Sequence, residues 1–313
     1  MKVVSIVGGL GSQMFKYAFY LALKETYKEP IFIDNSFYEQ NKCWNGYELS
    51  RIFKIDAPTL VDHILEEGGD GAPKDTYYLK RCLDYLKKDN TYYYLMGKRF
   101  HFKKKSRITK LGLELIKKST YIKFFMGIKH TYKLSDFIEG QNYYFDEYFH
   151  NSDEHFADFK DLVKKTFVFP ELTDEENKKT ASTMEKENSV AMHVRRGDHL
   201  SDNANLYKTG YYQKAVKHIK DNEKGELVFY LFSDDLDWCK ENLETLGLKD
   251  EKVVYVDWNK KENSYKDMQI MTYCKHNIVA ISSFSWWGYY LSNRSDKIVV
   301  SPKGYWLDIK THF

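Results

Sequence analysis

Cysteine, proline and long apolar runs are what this sequence has least of. Its 313 residues include four scattered cysteines, Cys43, Cys82, Cys239 and Cys274, with no C-x-x-C pair. That excludes a disulfide-built scaffold, gives no zinc-site spacing, and makes a reducing compartment the expected one. No stretch approaches the ~18 apolar residues of a membrane span. The run from Lys2 to Val7 meets Gly8 and Gly9 too early to be the apolar core of a signal peptide. The cytoplasm is therefore the expected location. Repeats and low-complexity segments are missing too, and 42% hydrophobic with 30% charged residues excludes a disordered or collagen-like chain. What remains is a globular protein long enough for two α/β domains of roughly 150 residues each.

The net charge of +3 averages two unlike parts. Between Lys98 and Lys133 there are twelve Lys or Arg and one acid, Glu114, a local charge of +11, which leaves −8 for the rest. Such asymmetry points to an anionic partner or surface. Basic residues here interleave with Phe100, Phe102, Tyr121, Phe124, Phe125 and Tyr132, a pattern that also occurs in proteins binding single-stranded nucleic acid. The acidic remainder argues against a nucleic-acid partner. Peripheral contact with anionic lipid at the inner face of the membrane, or a solvated basic face over an aromatic core, are the other two readings. The 26 tyrosines suit wet grooves that hold sugars or bases, since each ring has an apolar face and a polar tip.

The chain opens as strand, glycine loop, helix and strand: Lys2 to Val7, Gly8 to Gln13, the helical spacing of Met14, Tyr17, Ala18 and Leu21, then Ile31 to Asp34. This βαβ unit implies a parallel sheet. Short strands are expected at Tyr92 to Leu95 and Tyr143 to Phe145, and helices at Phe156 to Phe167 and Asp174 to Asn188, the latter capped by Thr173. A second α/β series follows. Its strands are Val190–Val194, Leu227–Phe232, Lys252–Val256, Ile278–Ile281 and Ile298–Val300. Its helices are Gly210–Asp221, Leu236–Leu246, Ser264–Lys275 and Phe284–Ser292. The expected division is 1–169 and 170–313, two Rossmann-like domains, with the last helix or strand a candidate to pack back on the first domain.

Four strings stand where strands end, the place where ligands bind such sheets. In His193-Val194-Arg195-Arg196-Gly197-Asp198, strand alternation puts His193 and Arg195 on one face and Arg196 on the other. An Arg there suits bidentate contact with phosphate; the plainer reading is an ion pair with Asp198. In Phe232-Ser233-Asp234-Asp235, one Asp can cap the next helix while the other accepts from a ribose or base. Asp235-Leu236-Asp237 matches a short Asp-x-Asp metal pattern, yet Asp237 is expected on the helix. In Ser282-Ser283-Phe284-Ser285-Trp286-Trp287-Gly288, hydroxyls and free N–H groups at a helix N-terminus suit a diphosphate, with capping by Ser283 or Ser285 and packing by the tryptophans alongside. Gly8-Gly9-Leu10-Gly11-Ser12-Gln13-Met14 is a partial dinucleotide fingerprint, with Gly9 and Gly11 present, Met14 in place of the third glycine and Asp34 as ribose acid. On that loop rests an alternative, a dinucleotide-dependent oxidoreductase.

In order and spacing, from Gly8 to Gly288, the four strings resemble the bacterial α-1,2-fucosyltransferases of glycosyltransferase family 11. Ser12, Lys16 and Ile281 stand where that family usually has Asn, Gln and Asn. The resemblance implies an α/β fold of GT-B type, two Rossmann-like domains facing across a cleft, with acceptor-side and donor-side roles. It implies GDP-fucose as donor, a galactose-terminated glycan as acceptor, and no required metal or other cofactor. It further implies that Arg195 neutralises the β-phosphate and that His193 and Asp234 hold guanine or ribose. The turn of Ser283, Phe284 and Ser285 would hold the diphosphate, with Gly9, Gly11 and Gln13 also in the donor-binding set. Attack by an acceptor hydroxyl needs a base. Asp198, as base or as the residue orienting Arg195, and Asp202 are the candidates just past the strand, and Asp34 is one in the other domain.

Overall fold

The computed structural model describes residues 1–41, 43–68, 92–95, 98–101, 133–145, 153–197 and 200–302. The chain divides into two compact units, Met1–Val168 and Phe169–Phe313. Most of the basic segment, Asp198, Cys82 and the stretch after residue 302 lie outside the described residues.

In the first unit the strands are β1 (Lys2–Ser5), β2 (Ile31–Asp34), β3 (Tyr92–Leu95), β4 (Lys98–His101) and β5 (Tyr143–Phe145). They form one sheet in the order β2-β1-β5-β3-β4. All neighbours are parallel except β3 and β4. Helix α1 (Leu10–Thr26) is buried along most of its length, through Met14, Phe15, Ala18, Phe19, Ala22 and Leu23. Phe19 meets Phe145 and Phe137 edge-on, which ties the helix to the sheet. Shorter helices follow: α2 (Phe37–Gln40), α3 (Leu49–Phe53), α4 (Leu60–Gly68) and α5 (Lys160–Thr166).

The second unit is an all-parallel sheet of β6 (Asn188–Val194), β7 (Leu227–Ser233), β8 (Lys252–Val256), β9 (His276–Ile278) and β10 (Val299–Val300), in the order β10-β9-β6-β7-β8. Its helices are α6 (Glu175–Lys186), α7 (Leu200–Lys208), α8 (Tyr211–Asn222), α9 (Leu236–Glu241), α10 (Leu243–Leu246), α11 (Tyr265–Met271) and α12 (Ser283–Tyr290). Val190, Met192 and Val194 of β6 pack with Tyr211, Ala215 and Ile219 on one face. Ala191 packs with Met184, Ile270 and Met271 on the other. Both faces are covered, as a parallel sheet requires. At Gly288 of α12 a Cβ would sit 2.9 Å from the Cβ of Met271, so α11 and α12 approach each other at a point where only glycine fits. Among the described residues no helix is long and apolar enough to cross a membrane.

Several boundaries differ from those read in the sequence. Asp174, not Thr173, caps α6, accepting from the Asn177 N–H at 2.9 Å. The expected helix Leu236–Leu246 is broken at Asn242, whose φ of −121° and ψ of 30° leave the helical region. The strand expected at Ile278–Ile281 is His276–Ile278. Helix α7, directly after the arginine string, was not anticipated.

Candidate functional site

Strands β6 and β7 run in register from Asn188 opposite Leu227 to Val194 opposite Ser233. The His193 to Gly197 and Phe232 to Asp235 strings therefore leave the sheet at the same edge. Alternation sorts them as expected. His193 faces Phe284 of α12, ring centroids 5.9 Å apart, whereas the Arg196 guanidinium lies 3.7 Å over the Trp238 ring and 5.4 Å from that of Tyr207, on the opposite side. Arg196 also pairs with Asp235, Nε to Oδ2 at 2.9 Å, and this contact holds the Asp235 carboxyl below its usual range. Asp235 caps α9 as well, accepting from the Trp238 N–H at 3.3 Å. It is thus committed to structure.

Arg195 meets Asp234, Nη1 to Oδ2 at 3.0 Å. The other oxygen of Asp234 accepts the Arg196 backbone N–H at 2.8 Å. Gly197 makes this approach possible, because a Cβ there would fall 2.5 Å from Asp234 Oδ2. With both oxygens engaged inside the site, Asp234 acts first as the anchor of Arg195. The arginine's expected ion-pair partner, Asp198, is outside the described residues; Asp202 falls within α7.

His193 is buried, and its Nδ1 is buried with no hydrogen-bond partner. Burial, with a smaller push from Arg195, lowers its pKa to about 3, so the imidazole is neutral at physiological pH and offers one donor and one acceptor. Beside it, α12 is capped by Ser282, whose Oγ accepts from the Phe284 N–H at 3.3 Å; this replaces the expected cap at Ser283 or Ser285. Ser285 is buried, and its hydroxyl donates to the Ser282 carbonyl at 3.4 Å. Ser283 and Phe284 are half-buried at the helix start. Trp286 and Trp287 are fully buried, as packing residues should be.

Asp267 is not among the residues singled out from the sequence. It sits at the start of α11, just beyond β8, and accepts from Asn259 Nδ2 at 2.8 Å. Asn259 is held in turn by Asn177, which also receives the Trp258 indole N–H at 3.0 Å. Burial pushes the Asp267 carboxyl up to about 7, against the opposing effects of Asn259 and Lys260. Half-buried in the fold, Asp267 is set apart by the desolvation of its carboxyl, which no pattern in the sequence signals. Asp237, by contrast, is 93% exposed and pairs with Lys240 at 3.3 Å, so the Asp235 and Asp237 carboxylates do not converge. No three His, Cys, Asp or Glu side chains cluster to hold a metal among the described residues.

In the first unit the glycine loop is closed from within. Gln13 is fully buried; its Nε2 donates to the Gly8 carbonyl at 3.0 Å and the Gly46 carbonyl at 2.9 Å, and its Oε1 accepts from the Glu48 N–H at 2.9 Å. Gly8 has a φ of 108°, a value that glycine tolerates. Gln13 thus braces the loop, while Gly9 and Gly11 open α1. Asp34 is buried and hydrogen-bonded at both oxygens. Its Oδ1 accepts from the Ser36 N–H and hydroxyl at 3.1 and 2.6 Å, and its Oδ2 from the Tyr144 hydroxyl at 2.8 Å. Neither the ribose contact of a dinucleotide site nor the role of acceptor base suits a carboxylate so enclosed.

Residues 94–308 match the family model described as Glycosyl transferase family 11. An α-1,2-colitosyltransferase of Escherichia coli is 27% identical over 305 residues, which cover 96% of this chain and 90% of that one. The O-antigen biosynthesis glycosyltransferase WbnK of Escherichia coli is 39% identical over 124 residues, 38% of this chain and 39% of that one. Galactoside α-(1,2)-fucosyltransferase 1 of Rattus norvegicus is 32% identical over 108 residues, 33% of this chain and 28% of that one.

Proposed function

The chain belongs to glycosyl transferase family 11, and from that premise we propose that it moves L-fucose from GDP-fucose to O2 of a galactose in an oligosaccharide or glycan. Transfer inverts the anomeric carbon and requires no metal. The observation that carries the reading is the contact between His193 and Phe284, which joins the arginine string to the serine-rich helix start on one face of the second sheet.

Cleavage of the bond between fucose C1 and its phosphate oxygen leaves the electron pair, and added negative charge, on GDP. Arg195, held by Asp234, is the fixed cation for that charge, and the N–H groups opening α12 add oriented dipoles. The neutral His193, with its unpartnered Nδ1, is the contact assigned to guanine or ribose. The 1–169 part takes the acceptor and the 170–313 part the donor. Galactose O2 attacks C1 from the side opposite the leaving GDP and gives up its proton to a base. We assign that base to Asp198, whose alternative role is to orient Arg195 beside Asp234, with Asp202 as second candidate.

The α-1,2-colitosyltransferase relative supports a second donor, because colitose is fucose without its 3-hydroxyl. Incubation of the protein with GDP-fucose or GDP-colitose and a set of galactosides, with the new linkage located by NMR, tests both points. An α-fucosyl bond to O2 is expected. A linkage elsewhere on the acceptor, or transfer from GDP-colitose alone, would overturn the reading.

A further inference from the structure

Trp44 carries two costs at one position. The residue is 51% exposed, although an indole gains more from burial than almost any side chain. Its φ is 51°, in the left-handed region where a bulky residue costs on the order of 1 kcal/mol or more and glycine or asparagine would cost little. A single exposed aromatic needs no explanation; an exposed aromatic held in an unfavourable backbone conformation does.

The surroundings hold that conformation rigidly. The Gly46 N–H closes a turn onto the Cys43 carbonyl at 3.2 Å. The buried Gln13 then ties the turn to the glycine loop, donating to the carbonyls of both Gly8 and Gly46 and accepting from the Glu48 N–H. Tyr38 donates a further hydrogen bond to the Gly8 carbonyl at 2.5 Å. The indole edge lies over Gly9, its Cδ1 3.5 Å from where a Cβ would be, and Phe37 flanks it at 6.2 Å between ring centroids. One indole is thus fixed beside the loop that leaves the carboxyl end of β1, where ligands of parallel sheets bind.

We propose that Trp44 is the stacking platform for the acceptor galactoside, an inference that rests on the fucosyltransfer reading above. A galactopyranose presents an apolar face made by its C3–H, C4–H and C5–H bonds. Seated by that face on an indole, the ring buries apolar surface while its equatorial O2 stays at the edge, uncovered by the indole. Trp44 then sets which sugar ring docks, and it takes no part in holding GDP.

Kinetics of Trp44→Ala, Trp44→Gly and Trp44→Phe against the wild type, with acceptor and donor varied separately, test this. Hydrolysis of GDP-fucose without acceptor and GDP affinity serve as donor-side readouts. The acceptor KM should rise at least tenfold in the Ala and Gly variants and recover most of the way in the Phe variant. Donor KM, GDP affinity and donor hydrolysis should stay within twofold. An unchanged acceptor KM overturns the proposal, and so does a parallel loss of GDP affinity. Wild-type protein that transfers nothing to any galactoside overturns the functional reading itself, which separates the two failures.

Discussion

Arg195 and Asp234 meet at 3.0 Å across the ends of two neighbouring strands, although 39 residues separate them in the chain. The pair fixes the guanidinium in place, and in the proposed transfer its charge would need no reorganisation as GDP departs. Arg195→Ala should lower kcat on the order of 10²-fold or more while the fold survives, the scale of losing one fixed transition-state donor. Asp234→Asn keeps a hydrogen bond but not the charge and should lose less, about tenfold. Single-turnover rates with circular dichroism as the fold control measure both; wild-type rates in Arg195→Ala would remove the assigned role.

Arg196 should behave differently despite its adjacency. Its contacts are Trp238, Tyr207 and Asp235, on the face away from His193. Arg196→Ala is expected to destabilise by about 1–2 kcal/mol with GDP affinity near that of the wild type. A stable variant unable to bind GDP, seen by urea titration beside calorimetry, would contradict this.

Asp267 and His193 tilt the pH dependence of stability in opposite directions. From about pH 4, where an unfolded Asp loses its proton, up to the folded value of about 7, the folded chain holds the Asp267 proton and the unfolded chain does not. That contribution is lost as pH rises. Folded His193 refuses a proton down to about 3, whereas the unfolded residue accepts one near ~6.5, so its contribution is lost as pH falls. Over the shared range the two slopes offset each other. Asp267→Asn should therefore expose the His193 slope, making the protein less stable on acidification below ~6.5, by up to about 1.4 kcal/mol per pH unit relative to the wild type. Urea midpoints from pH 5 to 8 measure it, and parallel profiles for the two proteins would disprove it.

Gln13→Ala removes three internal hydrogen bonds and leaves the buried Glu48 N–H and the half-buried Gly46 carbonyl without that partner, while Tyr38 still serves the Gly8 carbonyl, a loss of about 2–3 kcal/mol. Thermal unfolding measures it. Because Gln13 also braces the Trp44 turn, acceptor KM should rise more than donor KM, and an equal rise in both would count against that bracing role.

Much of the second unit was legible because strand alternation is a rule of period two. From His193, Arg195 and Arg196 alone it gave the two faces that β6 presents. The α/β order and the clustering of the arginine, Asp and serine strings at one sheet edge followed from the same local patterns. What stayed hidden depends on register or on single dihedral angles. The Arg195 to Asp234 pair needs the β6 to β7 register. The caps at Asp174 and Ser282 are decided by which residue leaves the helical region, and Asn242 breaks a helix that its neighbours' propensities would continue. Asp34 looked free at a strand end, and only the fold brings Tyr144 against it. The significance of Asp267 lies in its burial, which sequence position does not report.

The bare backbone of Gly288 against Met271 makes α11 and α12 a keyed pair. The helix that begins near Asp267 and the helix that begins at Ser283 cannot slide independently, so any displacement of one is handed to the other. Gly288→Ala would wedge the two apart from behind, and the expected result is a raised donor KM measured in steady state, with acceptor KM unchanged. With the donor site as proposed, grip on the nucleotide depends in part on a methyl-sized gap between two helices, at Gly288 rather than at the Ser283 turn itself.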